Sequence, residues 1–174
     1  DEVFNKGVVN CFDRQLFTVV TRESKVSNYD GSKLDKMPDL LIGLSDRTNV
    51  FKPSQDGLFI ECKPVDRDHS AGKHYCGMGV IRFVSGEYAW AMTSALMIGY
   101  VRNGYTITSK LTRALKAPVK ELNTIGFLSP SRQSKPGKNS EVVQVSRHSR
   151  SFSYPETGQQ APEITLRHLW LRRD

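Results

Sequence analysis

The fold is decided by the stretch LFIECKPV, residues 58–65. Its apolar residues, in so short a run, are typical of a strand, and Pro64 stands near the end, where a missing N–H matters least. Because side chains alternate between the two faces of a strand, Glu61 and Lys63 project to one side and Cys62 projects to the other. An acid and an amine therefore share one face of the predicted strand.

A second buried strand is predicted upstream, at LLIGL, residues 40–44. If the two strands pair antiparallel with Leu44 opposite Gly57, Asp39 falls opposite Cys62 and lies beside the acid and the amine. The twelve-residue loop between the strands does not fix this register. A slip of one residue would change the face on which Asp39 lies.

The neighbouring segments complete the order α-β-β-β-α-β. Periodicity predicts a helix over about 2–13, strands over 16–22, 40–44 and 58–65, a loop over 72–79, a helix over about 80–94 and a strand over 96–101. We therefore expect an α/β fold.

The rest of the chain extends this core. We predict a helix over 108–116, an aperiodic loop over 129–140, and β runs over 141–146 and 164–171 that form a hairpin added to the sheet. Neither an internal repeat nor a second core is evident. The chain is therefore predicted to be one domain, 1–174, with a core over about 1–101 and a C-terminal extension over about 102–174.

The composition is typical of a globular chain. Hydrophobic residues make up 38% and charged residues 25% of the 174 residues, a length that permits a self-sufficient core. The sequence has neither an apolar run of about 18 residues nor the zones of a signal peptide. We predict no membrane span and a cytoplasmic location. Since the sequence starts at Asp1 rather than Met, residue 1 is either a processed end or the edge of a longer chain.

The net charge is +7, and its distribution along the chain is uneven. From Ser129 onward there are eight Lys or Arg residues against four acids, so the last quarter carries +4 of the total. Such an excess suits a polyanionic partner, because neutralising phosphates releases counterions. A solvated basic surface that maintains solubility explains the same excess equally well.

The three cysteines do not form a complete disulfide framework, and none belongs to a CxxC pair. Reduced thiols are the simplest interpretation. A zinc site at Cys62, His69, His74 and Cys76 is an alternative, but its spacing matches none of the common structural patterns.

Two carboxylates beside a lysine suit Mg²⁺, a hard cation that takes oxygen ligands from carboxylates, waters and phosphates. The ion would polarise a phosphodiester and lower the pKa of a bound water, while Lys63 would orient that water or stabilise developing charge. In the simpler alternative, Asp39 is a strand-entry residue after proline, and Glu61 and Lys63 form a solvent-facing pair worth tenths of a kcal/mol.

Pro38-Asp39 followed by Glu61-Cys62-Lys63 resembles the signature of PD-(D/E)xK nucleases, which share a restriction-endonuclease-like αβββαβ core. The resemblance covers about residues 1–101 and implies a mixed central sheet flanked by helices, with the hairpin as a C-terminal extension. It implies that Asp39, Glu61 and the backbone carbonyl of Cys62 ligate Mg²⁺, with Mn²⁺ as a substitute, and that Lys63 assists hydrolysis. As auxiliary residues it suggests Glu2, Glu87 and Tyr88.

Residues 82–92 and 168–171 are similar to bacterial members of that superfamily associated with defence against foreign DNA. The resemblance implies a Mg²⁺-dependent DNA endonuclease in a restriction or defence context, as a homodimer or part of a larger assembly. Two alternatives stay open: a nucleic-acid-binding module with the nuclease fold but weak catalysis, and a protein-interaction subunit of a larger assembly.

The basic last quarter is the predicted nucleic-acid contact. We expect the loops at 129–140 and 146–163 to flank the cleft and to hold the phosphate backbone. The residues expected to make these contacts are Arg132, Lys135, Arg147, His148 and Arg150.

Overall fold

The computed structural model describes residues 17–44, 55–117, 122, 124–128 and 143–173. In this part of the chain, seven strands form one sheet in the order β1-β2-β3-β4-β7-β6-β5. The strands are β1 (Phe17–Arg22), β2 (Leu40–Leu44), β3 (Gly57–Val65), β4 (Ser94–Val101), β5 (Thr124–Leu128), β6 (Gln144–His148) and β7 (Ile164–Arg172).

The sheet is mixed. Its three central strands, β3, β4 and β7, run parallel, and antiparallel strands flank them on both sides. In the described residues, one helix follows β3, a second follows β4, and together they cover the central strands. Helix α1 is π-helical over Ala71–Val80 and α-helical over Ile81–Val84, and helix α2 is π-helical over Ile107–Leu111 and α-helical over Thr112–Lys116. Helix α1 packs on β3 and β4, and α2 packs on α1. The predicted α/β class with a mixed sheet is therefore confirmed.

The predicted antiparallel pairing of β2 and β3 is right, but its register is wrong by one residue. Gly43, rather than Leu44, stands opposite Gly57. A Cβ atom at Gly57 would lie 2.8 Å from the backbone oxygen of Ile42 and 2.7 Å from a methyl group of Leu41. Only glycine permits this close approach, so Gly57 favours the observed register.

The predicted loop at 72–79 is wrong, because α1 occupies this stretch. The side chain of Ser70 caps the helix by accepting the N–H of Lys73 at 3.2 Å. The predicted helix at 80–94 is also too long, since α1 ends at Val84. The backbone then adopts left-handed conformations, with φ of 73° at Gly86 and 52° at Ala89, and these turn the chain away from the helix axis.

The predicted C-terminal hairpin is present, since β6 and β7 pair antiparallel. Strand β6 extends to His148, beyond the predicted end at 146. The sequence analysis missed β5, which adds a further antiparallel strand at the edge. The predicted helix at 2–13 and the predicted loop at 129–140 lie outside the described residues. Among those that are described, no helix is long and apolar enough to cross a membrane.

A chain of buried polar groups crosses the sheet behind α1. His148 Nδ1 donates to the carbonyl of Leu122 at 2.7 Å, which leaves Nε2 to accept from Ser146 Oγ at 2.7 Å. Ser146 Oγ in turn accepts from His168 Nε2 at 2.8 Å, and the hydroxyl of Tyr75 shares its proton between His168 Nδ1 at 3.1 Å and the carbonyl of Met97 at 3.3 Å. Both imidazoles therefore satisfy these hydrogen bonds in their neutral form.

This arrangement predicts a loss of stability in acid. Burial lowers the pKa of His168 to about 3, and the charge of His148 acts in the same direction. An unfolded histidine takes up a proton near pH 6.5, so below that pH the unfolded state binds more protons than the folded state. The contribution of His168 is present in full above about pH 6.5 and is lost as the pH falls toward 3.

Urea unfolding between pH 7.5 and 4.5 measures this effect. The free energy of unfolding of His168→Gln should fall with decreasing pH less steeply than that of the wild type, by up to about 1.4 kcal/mol per pH unit. The exposed, non-titrating Leu34, changed to Gln, is the control and should retain the wild-type slope. Equal slopes for His168→Gln and the wild type would contradict a buried neutral His168.

Candidate active site

Glu61 lies at the centre of the candidate site and is only 1% exposed. Its Oε1 accepts a hydrogen bond from Lys63 Nζ and forms an ion pair with Arg82 Nη1 at 3.2 Å, while Arg82 Nη1 donates to the hydroxyl of Tyr88 at 3.4 Å. Its Oε2 accepts a hydrogen bond from the hydroxyl of Tyr88. A buried carboxylate without partners would be expensive, and these donors offset that cost.

The donors come from β3, from α1 and from the turn after α1. Lys63 is two residues beyond Glu61 on the same strand, so both side chains share the face that the sequence predicted. Arg82 is on α1, and Tyr88 follows the left-handed turn at Gly86. The ring of Tyr88 is held by Phe83, with centroids 5.1 Å apart, and by Phe59 at 6.3 Å. Burial, and then the charge of Glu61, raise the pKa of Tyr88, so its hydroxyl keeps its proton and donates.

Asp39 lies directly before β2 and against β3. Its Oδ2 accepts the backbone N–H of Cys62 at 2.6 Å. Extending the observed register by one residue places Asp39 opposite Glu61. Burial and then the charge of Asp39 raise the pKa of the Cys62 thiol, and Asp39 also contributes to the raised pKa of Tyr100, whose largest cause is Cys62. The site thus brings Asp39 next to the Glu-Cys-Lys segment.

The carboxylates do not gather into a preformed metal cage. Within the described residues, no direct hydrogen bond or ion pair joins Asp39 to Glu61 or Lys63. Nor do three or more His, Cys, Asp or Glu side chains come together there in a group that could hold a metal ion. The structure gives no support to the alternative zinc site. His69 already pairs with Asp66, and burial raises the pKa of Cys76 to about 12, which disfavours the thiolate that zinc binds.

An outer layer of charge surrounds Glu61. Glu87 pairs with Lys36 at 3.0 Å and with Lys33 at 3.5 Å, and its Oε2 lies 4.0 Å from Arg82 Nε. The segment between β1 and β2 therefore reaches the site through two lysines. Sequence reasoning anticipated Glu87 and Tyr88 but assigned no role to Arg82, Lys33 or Lys36. Arg82 stands within the stretch 82–92 that carries the defence-protein resemblance, whereas nothing in the sequence distinguishes the two lysines.

The predicted nucleic-acid residues that the structure describes do not form a cleft surface. Arg147 is half-exposed and pairs with Glu163, and His148 is fully buried in the row of hydrogen-bonded polar groups. Arg150 is 3% exposed and donates to the carbonyls of Trp90 and Met92, each at 3.0 Å. Placed in this way, His148 and Arg150 hold segments of the fold together and do not reach a polyanion at the surface, which corrects their predicted role.

The predicted residues Glu2, Arg132 and Lys135 lie outside the described residues. The chain matches no family model, no curated protein and no solved structure. Evidence about function therefore comes from the sequence signature and from the geometry of Asp39, Glu61 and the donors around them.

The hydroxyl of Tyr88 is predicted to stabilise the fold through Glu61. Tyr88→Phe leaves Oε2 of the buried carboxylate without this donor, and we expect a loss of about 1–3 kcal/mol in the free energy of unfolding. Chemical denaturation measures the loss. Tyr105→Phe is the matched control, because within the described residues no hydrogen bond involves the Tyr105 hydroxyl. Equal stability of the two variants would show that the bond to Glu61 does not stabilise the fold.

Proposed function

We propose that this chain is a divalent-metal-dependent nuclease with a restriction-endonuclease-like fold, acting on DNA in a restriction or defence context. The observation that supports it most is the contact between Asp39 Oδ2 and the N–H of Cys62. This contact places the Asp of the Pro-Asp pair beside the strand that carries Glu61 and Lys63. Residue 39 and the segment 61–63 are thus in contact, as an active site shared by Asp39, Glu61 and Lys63 would require. Cytoplasmic location and assembly with partner subunits stay predictions.

The donor set suits Mg²⁺ or Mn²⁺, because Asp39, Glu61 and the carbonyl of Cys62 offer only oxygen ligands. Asp39 Oδ1 has no hydrogen-bond partner in the described part of the chain, and Glu61 Oε2 accepts one hydrogen bond from Tyr88, so each carboxylate retains acceptor capacity. When bound, the ion would supply positive charge to the phosphodiester undergoing hydrolysis. Lys63 provides a further positive charge beside the same carboxylate and is suited to stabilise a developing phosphorane oxyanion.

A nucleic-acid-binding module with weak catalysis is the second candidate. It is favoured by the burial of Glu61, whose Oε1 already accepts a hydrogen bond from Lys63 and forms an ion pair with Arg82. A carboxylate neutralised in this way has less affinity for a metal ion unless the cations shift. Titration with Mn²⁺ distinguishes the candidates, since only the nuclease requires an ion bound through Asp39 and Glu61.

Substitutions at the three motif residues test the nuclease directly. Asp39→Asn, Glu61→Gln and Lys63→Ala should each reduce Mg²⁺-dependent cleavage of plasmid and linear duplex DNA by at least a hundredfold. Groups that act together lose activity non-additively, so the triple variant should be hardly worse than the most impaired single variant. Rates are measured with Mg²⁺, with Mn²⁺ and with EDTA.

The control for these substitutions is Asp35→Asn, an exposed acid that pairs with Lys25 and with none of the residues proposed to act in catalysis. It should cleave like the wild type. Circular dichroism must show that each variant is folded, because Glu61 is buried. Full cleavage by folded Glu61→Gln protein would refute the assignment. Calorimetry should also show weaker Mn²⁺ binding for Asp39→Asn than for Asp35→Asn.

A further inference from the structure

The three central parallel strands end at one edge of the sheet. Val65 of β3 stands beside Val101 of β4, which stands beside Arg172 of β7. The ladder continues one step further, because Arg102 N donates to Val65 O at 3.1 Å and Arg173 N donates to Val101 O at 3.0 Å. Residues at the ends of these strands are therefore held by backbone hydrogen bonds in a fixed relation to the sheet.

Exposed arginines are concentrated at this edge. We define the carboxyl-edge arginines as Arg67, Arg102, Arg172 and Arg173, and all of them are exposed. Within the described residues, none of them forms an ion pair with a carboxylate. Their charges are therefore available to a partner.

The acids nearby do not cancel this charge. Asp66 Oδ1 accepts the N–H groups of Asp68 at 3.0 Å and His69 at 2.8 Å, and it also pairs with the ring of His69 at 2.8 Å. Its carboxylate is therefore committed to the loop after β3. Asp66 and Asp68 are two negative charges against the four arginines, so an excess of two positive charges remains among these residues.

The opposite edge of the sheet differs. There, Arg147 pairs with Glu163 just before β7, and Arg150 is buried against backbone carbonyls. The arginines of β6 and of the loop that follows it are thus engaged within the protein, whereas those at the ends of β4 and β7 are not. The contrast indicates which edge attracts a polyanion.

We propose that the carboxyl-edge arginines form a binding surface for the phosphate backbone of a nucleic acid. Cys62 lies three residues before Val65, so the surface begins about 10 Å along β3 from the contact with Asp39. A backbone lying across the ends of β3, β4 and β7 would pass close to Glu61 and Lys63. The proposal rests on the proposed function in that it takes the bound polyanion to be the substrate of that site. Contacts to phosphates give affinity without sequence preference.

The salt dependence of binding tests this surface. Fluorescence anisotropy with a duplex oligonucleotide in EDTA, at a series of salt concentrations, gives the slope of log K against log salt. Each phosphate contact contributes about 0.9 to this slope for duplex DNA, so the double variant Arg102→Gln/Arg173→Gln should reduce it by roughly two units. Arg147→Gln removes one arginine at the opposite edge and should leave the slope as in the wild type.

An unchanged slope in the double variant, an equal loss in Arg147→Gln, or the absence of duplex binding by the wild type would overturn the proposal. Cleavage assays with Mg²⁺ on the same proteins separate it from the nuclease assignment. If the protein never cleaves DNA and the slope falls only in the double variant, the binding surface is supported and the nuclease assignment is rejected. If the wild type cleaves DNA but the double variant keeps the wild-type slope, the nuclease assignment stands and the binding surface is rejected.

Discussion

The burial of one carboxylate, that of Glu61, constrains the rest of the site. A charge at 1% exposure has lost its water, so donors must replace that water at fixed positions. Two of them, Arg82 and Tyr88, belong to α1 and the turn behind it, and they reach Glu61 only if α1 lies close to β3. Gly79 lies at that approach, where a Cβ atom would lie 2.7 Å from the terminal methyl group of Met97 and 3.4 Å from Lys63, so a larger residue would require Met97 to shift. The carboxylate and the helix position are therefore mutually dependent.

The same constraint explains what the sequence predicted well. Apolar runs locate β2 and β3, although only β3 is largely buried and each residue of β2 is half-buried, which corrects the prediction of a buried strand at 40–44. Glu61 and Lys63 then stand out in β3 as polar exceptions on one face. Alternation fixes their common side without any knowledge of the rest of the fold. The approach of Asp39 to this strand was also expected, but its geometry depends on the register, which is set by the space available at Gly57 rather than by any local pattern.

The wrong predictions at 72–79 and 80–94 have a common cause, since both stretches contain glycine and both are shaped by contacts with residues distant in the sequence. Gly72, Gly77 and Gly79 make residues 72–79 resemble a loop, yet packing on β3 and β4 holds the stretch as a helix despite its low propensity. After Val84, apolar residues continue at helical spacing, but the chain turns at Gly86; Tyr88 then packs in the main core, whereas Trp90 packs in a second cluster with Phe152 and Ala161. Apolar periodicity in a sequence predicts that a side chain is buried, but it does not predict which element packs against that side chain.

Arginine shows the same limit for charge. Arg150 and Arg173 contribute equally to the basic last quarter of the sequence, but they differ completely in environment. Arg150 donates to carbonyls of the 89–92 turn and to Pro162, and burial lowers its pKa to about 10, which still leaves it charged at neutral pH. Arg173 is exposed at the end of β7. The charge of a buried guanidinium interacts mainly with the carbonyl dipoles bonded to it, so it does not attract a distant polyanion. The charge of an exposed guanidinium at the end of a rigid strand stays available for that attraction. The topology, by gathering three parallel strand ends at one edge, converts a dispersed charge excess into a local one.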